Sequence, residues 1–447
     1  MRLSRNAALA LVVYAAALLA YAGASGPRLR GRSADTHFSY QAQAFLRGRL
    51  DLGQPPPSAN DWAEVEYLRL ADGRTVAGRF LRAAPEWFRT LDGAAERIPA
   101  ANVRERWKKY YVSFPPFPAL LFMPLVARWG LDVNDVLVTV ILAALGPTLL
   151  LLVLRRLAAR GDSTRTEHED LALSAMFGLG TVYYYASVVG QVWYTAHVVS
   201  TVLVGLFVLA SLEAASPVLA GLCLGALVLT RPQMGFWGVF FLYEAWRARK
   251  PLVPTAVRFG LPLLALGAVG AGFNYARFDA LSEFGHRYLN IRWTARIQRY
   301  GLFDVAYLAR NLSAAFTLTP RLLARPPFVQ VSRHGLSMLL TTPALAYLLW
   351  PRTRGPLHAA LWLTAAPIAL LDFLYQSDGW AQFGYRFSID FLFALMMLLA
   401  IGGRPLTRTW QALIVGGIAV NLFGAVTFGR MEQFYFDGFF PIDPGDW

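Results

Sequence analysis

Apolar runs long enough to enter a bilayer recur along the chain, separated by short stretches where arginine and aromatic residues gather. They lie at residues 7–25, 134–154, 171–188, 194–212, 217–230, 233–246, 255–275, 334–350, 356–374, 385–403 and 409–428. A helix needs about 20 apolar residues to cross a hydrocarbon core. The pattern predicts an all-α polytopic membrane protein with about 11 transmembrane helices. The two runs flanking Arg231 are short and read as half-helices.

Two longer polar segments interrupt the runs. In the first, Phe38, Ala42, Phe45 and Leu46 share one helical face after Asp35, which predicts a juxtamembrane helix lying on the membrane surface. Alternating positions on both sides of Asp72-Gly73 predict a small β-hairpin, either a flap or a purely structural element. Residues 114–130 are apolar but carry Pro115, Pro116, Pro118 and Pro124, which argues against a regular crossing helix. Reading them as a surface dip keeps Arg155, Arg156, Arg160 and Arg165 on the inner side. The layout is then a first transmembrane helix (1–25), an external loop with juxtamembrane helices and the hairpin (26–133), transmembrane helices 2–7 (134–275), a second external loop (276–333), transmembrane helices 8–11 (334–428) and an external tail (429–447). No internal repeat is visible.

Composition agrees. The 447 residues are 56% hydrophobic with mean hydropathy +0.40, too apolar for a soluble chain of this size. The formal net charge is +14. Its arginines sit at the ends of apolar runs, at Arg155/Arg156, Arg247/Arg249, Arg352/Arg354 and Arg404/Arg408, which is an orientation signal rather than a nucleic-acid array. Cys223 is the single cysteine, so no internal disulfide forms. Arg2 and Arg5 before the first run resemble a signal peptide, and we expect that run to stay as an anchor. The arginine bias and the lack of organelle signals point to a bacterial inner membrane, with the candidate site facing the periplasm.

Ionisable residues at membrane depth are costly and are functional candidates by default. In this topology they gather on the outer face. Asp35 is a candidate general base. Lys108, Lys109, His197 and Arg231 are candidate contacts to an anionic phosphate. His37, Tyr40, Gln191, Tyr194, Glu283, Arg287, Trp380, Gln382, Tyr385 and Arg386 are candidate substrate contacts. Each has a plainer reading. Asp35 can cap the helix after it. His197 can be a satisfied core histidine, and Arg231 can snorkel to headgroups. The lysines can be interfacial anchors, and Arg386 can pair with Asp390 one turn later. Asp378 can be a turn residue. Together the set suits a polyprenyl-phosphate sugar: the cations hold the departing phosphate while Asp35 deprotonates an acceptor hydroxyl, with inversion at the sugar carbon.

Several stretches resemble the GT-C fold, closest to the protein-mannosyltransferase/ArnT-like group of lipid-linked-sugar glycosyltransferases. They are the Asp35-Thr-His-Phe-Ser-Tyr segment, Lys109-Tyr-Tyr-Val-Ser-Phe-Pro-Pro, Gly190-Gln-Val-Trp-Tyr-Thr-Ala-His and Leu229-Thr-Arg-Pro. Asn274-Tyr-Ala-Arg-Phe and Gln382-Phe-Gly-Tyr-Arg-Phe also look like segments of bacterial members. The resemblance implies a catalytic base at Asp35, donor-phosphate contacts near Lys108 or Lys109 and at Arg231, and a glycan, lipid or protein acceptor. This chain departs from the pattern at Thr36 and His197, where many relatives carry acids. That weighs against a carboxylate-bound metal, and a divalent metal held by Asp35 and His197 stays as an alternative. No other cofactor is assigned. Two competing classes are a transporter or flippase of lipid-linked sugars and a non-catalytic membrane scaffold.

Overall fold

The structure is a computed structural model that describes residues 5–81, 84–291 and 293–441. The chain forms two compact units. One combines the N-terminal helix, as far as Ser33, with Asn134–Leu263 and the described chain from Val305 to Pro441. The other combines Ala34–Val133 with Leu264–Asp304.

Among the described residues six helices are long and apolar enough to cross a membrane: Arg5–Arg30, Asp135–Ala159, Val192–Ala214, Leu252–Phe278, Pro356–Leu374 and Arg408–Thr427. The other expected spans are shorter or broken. Residues 171–188 divide into Glu167–Leu179 and Tyr183–Ser187. Pro217–Val228 has 12 residues, and the run after Arg231 is a 3-10 segment, Pro232–Trp237, leading into Gly238–Arg247. Residues 334–350 hold only the short helix Met338–Thr341 and the 3-10 segment Pro343–Leu349. Pro232 and Pro343 each open a new segment because proline has no N–H to continue the previous one.

Helix Ile389–Ile401 is buried at all 13 positions. Its residues are apolar on every side except Asp390, which suits a central position in a helical unit. By contrast Leu252, Val253, Val257 and Leu261 on Leu252–Phe278 are exposed, as expected of a surface that meets lipid. The helical unit also holds a small sheet of β6 (Arg321–Leu322), β7 (Val329–Ser332) and β8 (Tyr435–Phe436), with β7 and β8 parallel. The expected tail thus contributes a strand, and its residues 442–447 lie outside the described residues.

The second unit corrects the all-α expectation. Its hairpin is part of a five-stranded antiparallel sheet: β1 (Trp62–Leu70), β2 (Thr75–Leu81), β3 (Ala84–Thr90), β4 (Ala95–Arg97) and β5 (Val103–Val112), in the order β4-β3-β2-β1-β5. The turn is built as Asp-Gly implies. Asp72 accepts from the Arg74 amide at 2.9 Å, and Gly73 takes a positive φ of 89°. Ala63, Val65, Tyr111 and Phe278 form one core cluster, and Leu68, Leu70, Phe88 and Ile98 another.

The juxtamembrane helix spans His37–Leu46. It does not present one apolar face and one wet face. His37, Ser39 and Gln41 are buried along with Phe38 and Ala42, while Leu46 is exposed. Helix Phe117–Trp129 has 13 residues with Pro124 inside. At 1.5 Å per residue it is about 20 Å long, short of a core of about 30 Å.

Candidate functional site

Asp35 stands one residue before the N-cap of helix His37–Leu46. The cap position is Thr36, whose side chain makes no capping bond. Asp35 is 4% exposed, and Asn60 Nδ2 lies 3.4 Å from its Oδ1. The Asn60 carbonyl is 2.8 Å from His37 Nε2, so one loop residue ties both neighbours of the cap. The His37 ring stacks on Trp62 at 3.8 Å with an interplanar angle of 11°, and Tyr40 meets the same indole edge-on. Burial pushes His37 down to about 4 against the bonds from Asn60 and Asp35. It is fully buried, and its bond to the Asn60 carbonyl ties it to the loop beside Asp35.

The sheet gives both candidate lysines partners. In β5 Lys108 and Lys109 point to opposite faces. Lys108 Nζ lies 2.6 Å from Glu64, beside an Arg106–Glu66 pair at 2.9 Å. Lys109 Nζ sits 5.0 Å from the centre of the Tyr67 ring. Glu283 closes a turn: it accepts from the Gly285 amide at 2.6 Å and pairs with Arg287 at 3.3 Å. Burial pushes its carboxyl up, with those amides opposing.

In the helical unit, two other segments converge on Asp390. His197 comes from helix Val192–Ser211. Arg231 and Gln233 come from the break after Val228, where Arg231 is extended (φ −147°, ψ 100°) and Pro232 starts the next segment. Asp390 is in the first turn of Ile389–Ile401, where a helix favours a carboxylate. His197 Nδ1 is 3.0 Å from Asp390 Oδ1. Arg231 Nε and Nη2 donate to Oδ2 at 2.7 and 2.5 Å, and Gln233 Nε2 donates to it at 2.8 Å. Gln233 also donates to Asp372 at 3.2 Å. Asp390 and His197 are fully buried, and Asp372 is 4% exposed. The alternative Arg386–Asp390 pair does not form among the described residues. Arg386 lies against the Tyr194 and Phe387 rings, and its Nη1 donates to the Ala381 carbonyl at 3.3 Å.

A carboxylate facing two guanidinium nitrogens draws the His197 Nδ1 proton as well, which leaves Nε2 as a lone-pair acceptor. That nitrogen, Asp372 Oδ2 and the Tyr385 hydroxyl are buried without a hydrogen-bond partner. Arg231 Nη1 makes no hydrogen bond among the described residues, since its bonds to Asp390 use Nε and Nη2. Buried polar groups are almost always paired. His197 and Asp372 are linked through Asp390 and Gln233, so their unmet polar atoms make this network the candidate ligand site.

The remaining candidates hold together the turn between helices Pro356–Leu374 and Ile389–Ile401. Asp378 accepts from Arg310 Nε at 3.0 Å and His334 Nδ1 at 2.7 Å, and from the Trp380 amide at 3.1 Å. Burial alone would raise its carboxyl, but His334 and Arg310 outweigh this and hold it at about 2. Gln382 donates to the Asp378 and His334 carbonyls at 2.6 and 2.7 Å and accepts from the Arg386 amide at 2.9 Å. The Gln191 amide donates to Ser33 Oγ at 3.2 Å, and the Tyr194 hydroxyl to the Ala381 carbonyl at 2.9 Å.

Sequence reasoning passed over Asn60, Gln233, Asp372, His334 and Arg310. Asp372 carried a signal, as the one acidic residue in helix Pro356–Leu374. Among the described residues no three His, Cys, Asp or Glu side chains gather to hold a metal, and His197 Nδ1 is already engaged by Asp390. Compared with protein-family models, curated proteins and solved structures, the chain shows no significant match.

Proposed function

We propose that the chain is an inverting membrane glycosyltransferase of GT-C type, with about 11 membrane segments once the short and broken helices are counted. It moves a hexosyl or pentosyl group from a polyprenyl-phosphate donor to an acceptor hydroxyl on the external face of a bacterial inner membrane. The observation that supports this most is the set of unmet polar atoms around Asp390. Asp372 Oδ2 and His197 Nε2 are polar atoms that suit sugar hydroxyls, and Arg231 Nη1 is a donor that suits a phosphate oxygen. Arg231 shares its charge with Asp390, so it holds the phosphate by direction more than by net charge.

Asp35 is the base in this reading. What supports this is a carboxylate that follows the first apolar helix in sequence, since the acceptor arrives from water while the donor's tail stays in lipid. Asn60 and His37 position it. Lys108 and Lys109 guide the anionic donor toward the external sheet.

The test uses the full chain in detergent with a panel of radiolabelled polyprenyl-phosphate hexoses and pentoses. Asp35→Asn is expected to lower sugar transfer by about 10²- to 10⁴-fold with donor binding unchanged. Wild-type turnover in Asp35→Asn overturns the base assignment, and donor flux across vesicles without transfer favours a flippase.

A further inference from the structure

We propose that the arginine-lined cleft between the end of helix Gly238–Arg247 and the start of helix Pro356–Leu374 binds a phosphate-bearing anion, either a phospholipid headgroup or a free phosphate ester. The cleft has a volume of ≈ 610 Å³. It is independent of the transfer reading and uses none of its residues.

The charge inside it is unbalanced. Asp162 is the one carboxylate of the lining, and it is taken by Arg247 at 2.6 Å and by Arg160 at 3.1 Å. Arg249 and Arg354 line the same space, are exposed, and make no ion pair among the described residues. Two free guanidiniums therefore face a cleft with no free carboxylate. Planar guanidinium groups match the geometry of phosphate oxygens and bind them at two points.

The backbone adds to this. Helix Pro356–Leu374 starts at the cleft with Gly355 as N-cap, so no side chain caps it. Its first-turn N–H groups and the positive end of its dipole are left for an anion. On the other wall Arg249 follows the C-cap Ala248 with φ +51°, a left-handed position usually given to glycine. An arginine occupies a backbone slot that disfavours any side chain, and its guanidinium is delivered to the cleft.

The third wall is aromatic. Tyr243 and Trp246 line the cleft, with Trp246 71% exposed and Leu242 beside it 58% exposed. Tyrosine and tryptophan of this kind sit at headgroup level. The Arg247/Arg249 and Arg352/Arg354 turns belong to the side that the positive-inside pattern assigns to the cytoplasm, where basic pockets between helices meet anionic lipids.

The experiment titrates the full chain in a neutral detergent with dihexanoyl phosphatidylglycerol, with inorganic pyrophosphate, and with dihexanoyl phosphatidylcholine as the neutral control. Binding of phosphatidylglycerol over phosphatidylcholine assigns the lipid source, and binding of pyrophosphate alone assigns a soluble one. In either case Arg249→Gln and Arg354→Gln should each weaken binding about tenfold, and the double variant about a hundredfold. Arg352→Gln, which removes the same charge from a residue outside the lining, should leave affinity unchanged. Unfolding temperatures of all variants show whether the fold is kept. Absence of binding by both anions, or binding that Arg249→Gln/Arg354→Gln leaves intact, overturns the proposal.

Discussion

Asp390 and Asp378 each hold a histidine through Nδ1 and an arginine through its guanidinium, yet the two clusters end differently. Around Asp378 no atom of the carboxylate, His334 or Arg310 is fully buried without a hydrogen bond among the described residues. Both carboxylate oxygens are used, Gln382 seals the turn beneath, and Phe439 stacks on His334 at 4.3 Å. Around Asp390 the carboxylate is saturated but its partners are not. His197 Nε2 and Asp372 Oδ2 remain unmet, in burial as complete as that of the closed cluster. The same three residue types thus build a clamp in one place and an open site in the other. What separates them is that the unmet atoms beside Asp390 are fully buried, not the ion pair at the centre.

The comparison can be broken most severely at Asp390. Asp390→Ala leaves Arg231 as a buried charge without its carboxylate, and we expect a loss of about 3–5 kcal/mol in thermal unfolding of the detergent-solubilised protein. A double variant, Asp390→Leu with Arg231→Met, should recover most of that stability while sugar transfer stays lost. Recovery of transfer would place the open site elsewhere.

Asp378→Asn comes next. The carboxyl is held at about 2 against an ordinary 3.8, a depressed value, so its contribution is fully present above about pH 4 and is lost as pH falls toward 2. We expect Asp378→Asn to cost about 2 kcal/mol at pH 7 and progressively less below pH 4. A constant difference across that range would show that the clamp does not depend on the ionised carboxylate.

The smallest stability effect belongs to Asp372→Asn. The amide oxygen still accepts from Gln233, so unfolding should shift by no more than about 1 kcal/mol. Sugar transfer should fall all the same, because the free carboxylate oxygen is gone. A stability loss as large as that of Asp378→Asn would make the two clusters alike.

The apolar runs made the long helices legible, because twenty apolar residues are hard to place anywhere but in a span or a core. Asp72-Gly73 made the hairpin legible, because few residue pairs tolerate that turn. The five-stranded sheet was not legible. β5 includes Lys108-Lys-Tyr-Tyr, which reads as an interfacial patch until its partner strand supplies Glu64 and Glu66. Arg231 and His197 were visible as buried ionisable residues, but their common partner lies more than 150 positions on from each. Asp390 could be seen only with its neighbour Arg386, one helical turn away. Local spacing favours that pair, and tertiary packing overrides it.

The fully enclosed helix Ile389–Ile401 has a consequence for biogenesis. Alone in lipid it would carry an uncompensated carboxylate near one end, at a cost of up to about 3 kcal/mol for insertion. The counter-charge and the imidazole are on segments synthesised earlier, at Arg231 and His197. The helix therefore gains a stable seat only after its hosts have assembled. Ribosomal order and the direction of assembly then agree, and a chain truncated before Asp390 would leave Arg231 as an unpaired cation for quality control to detect.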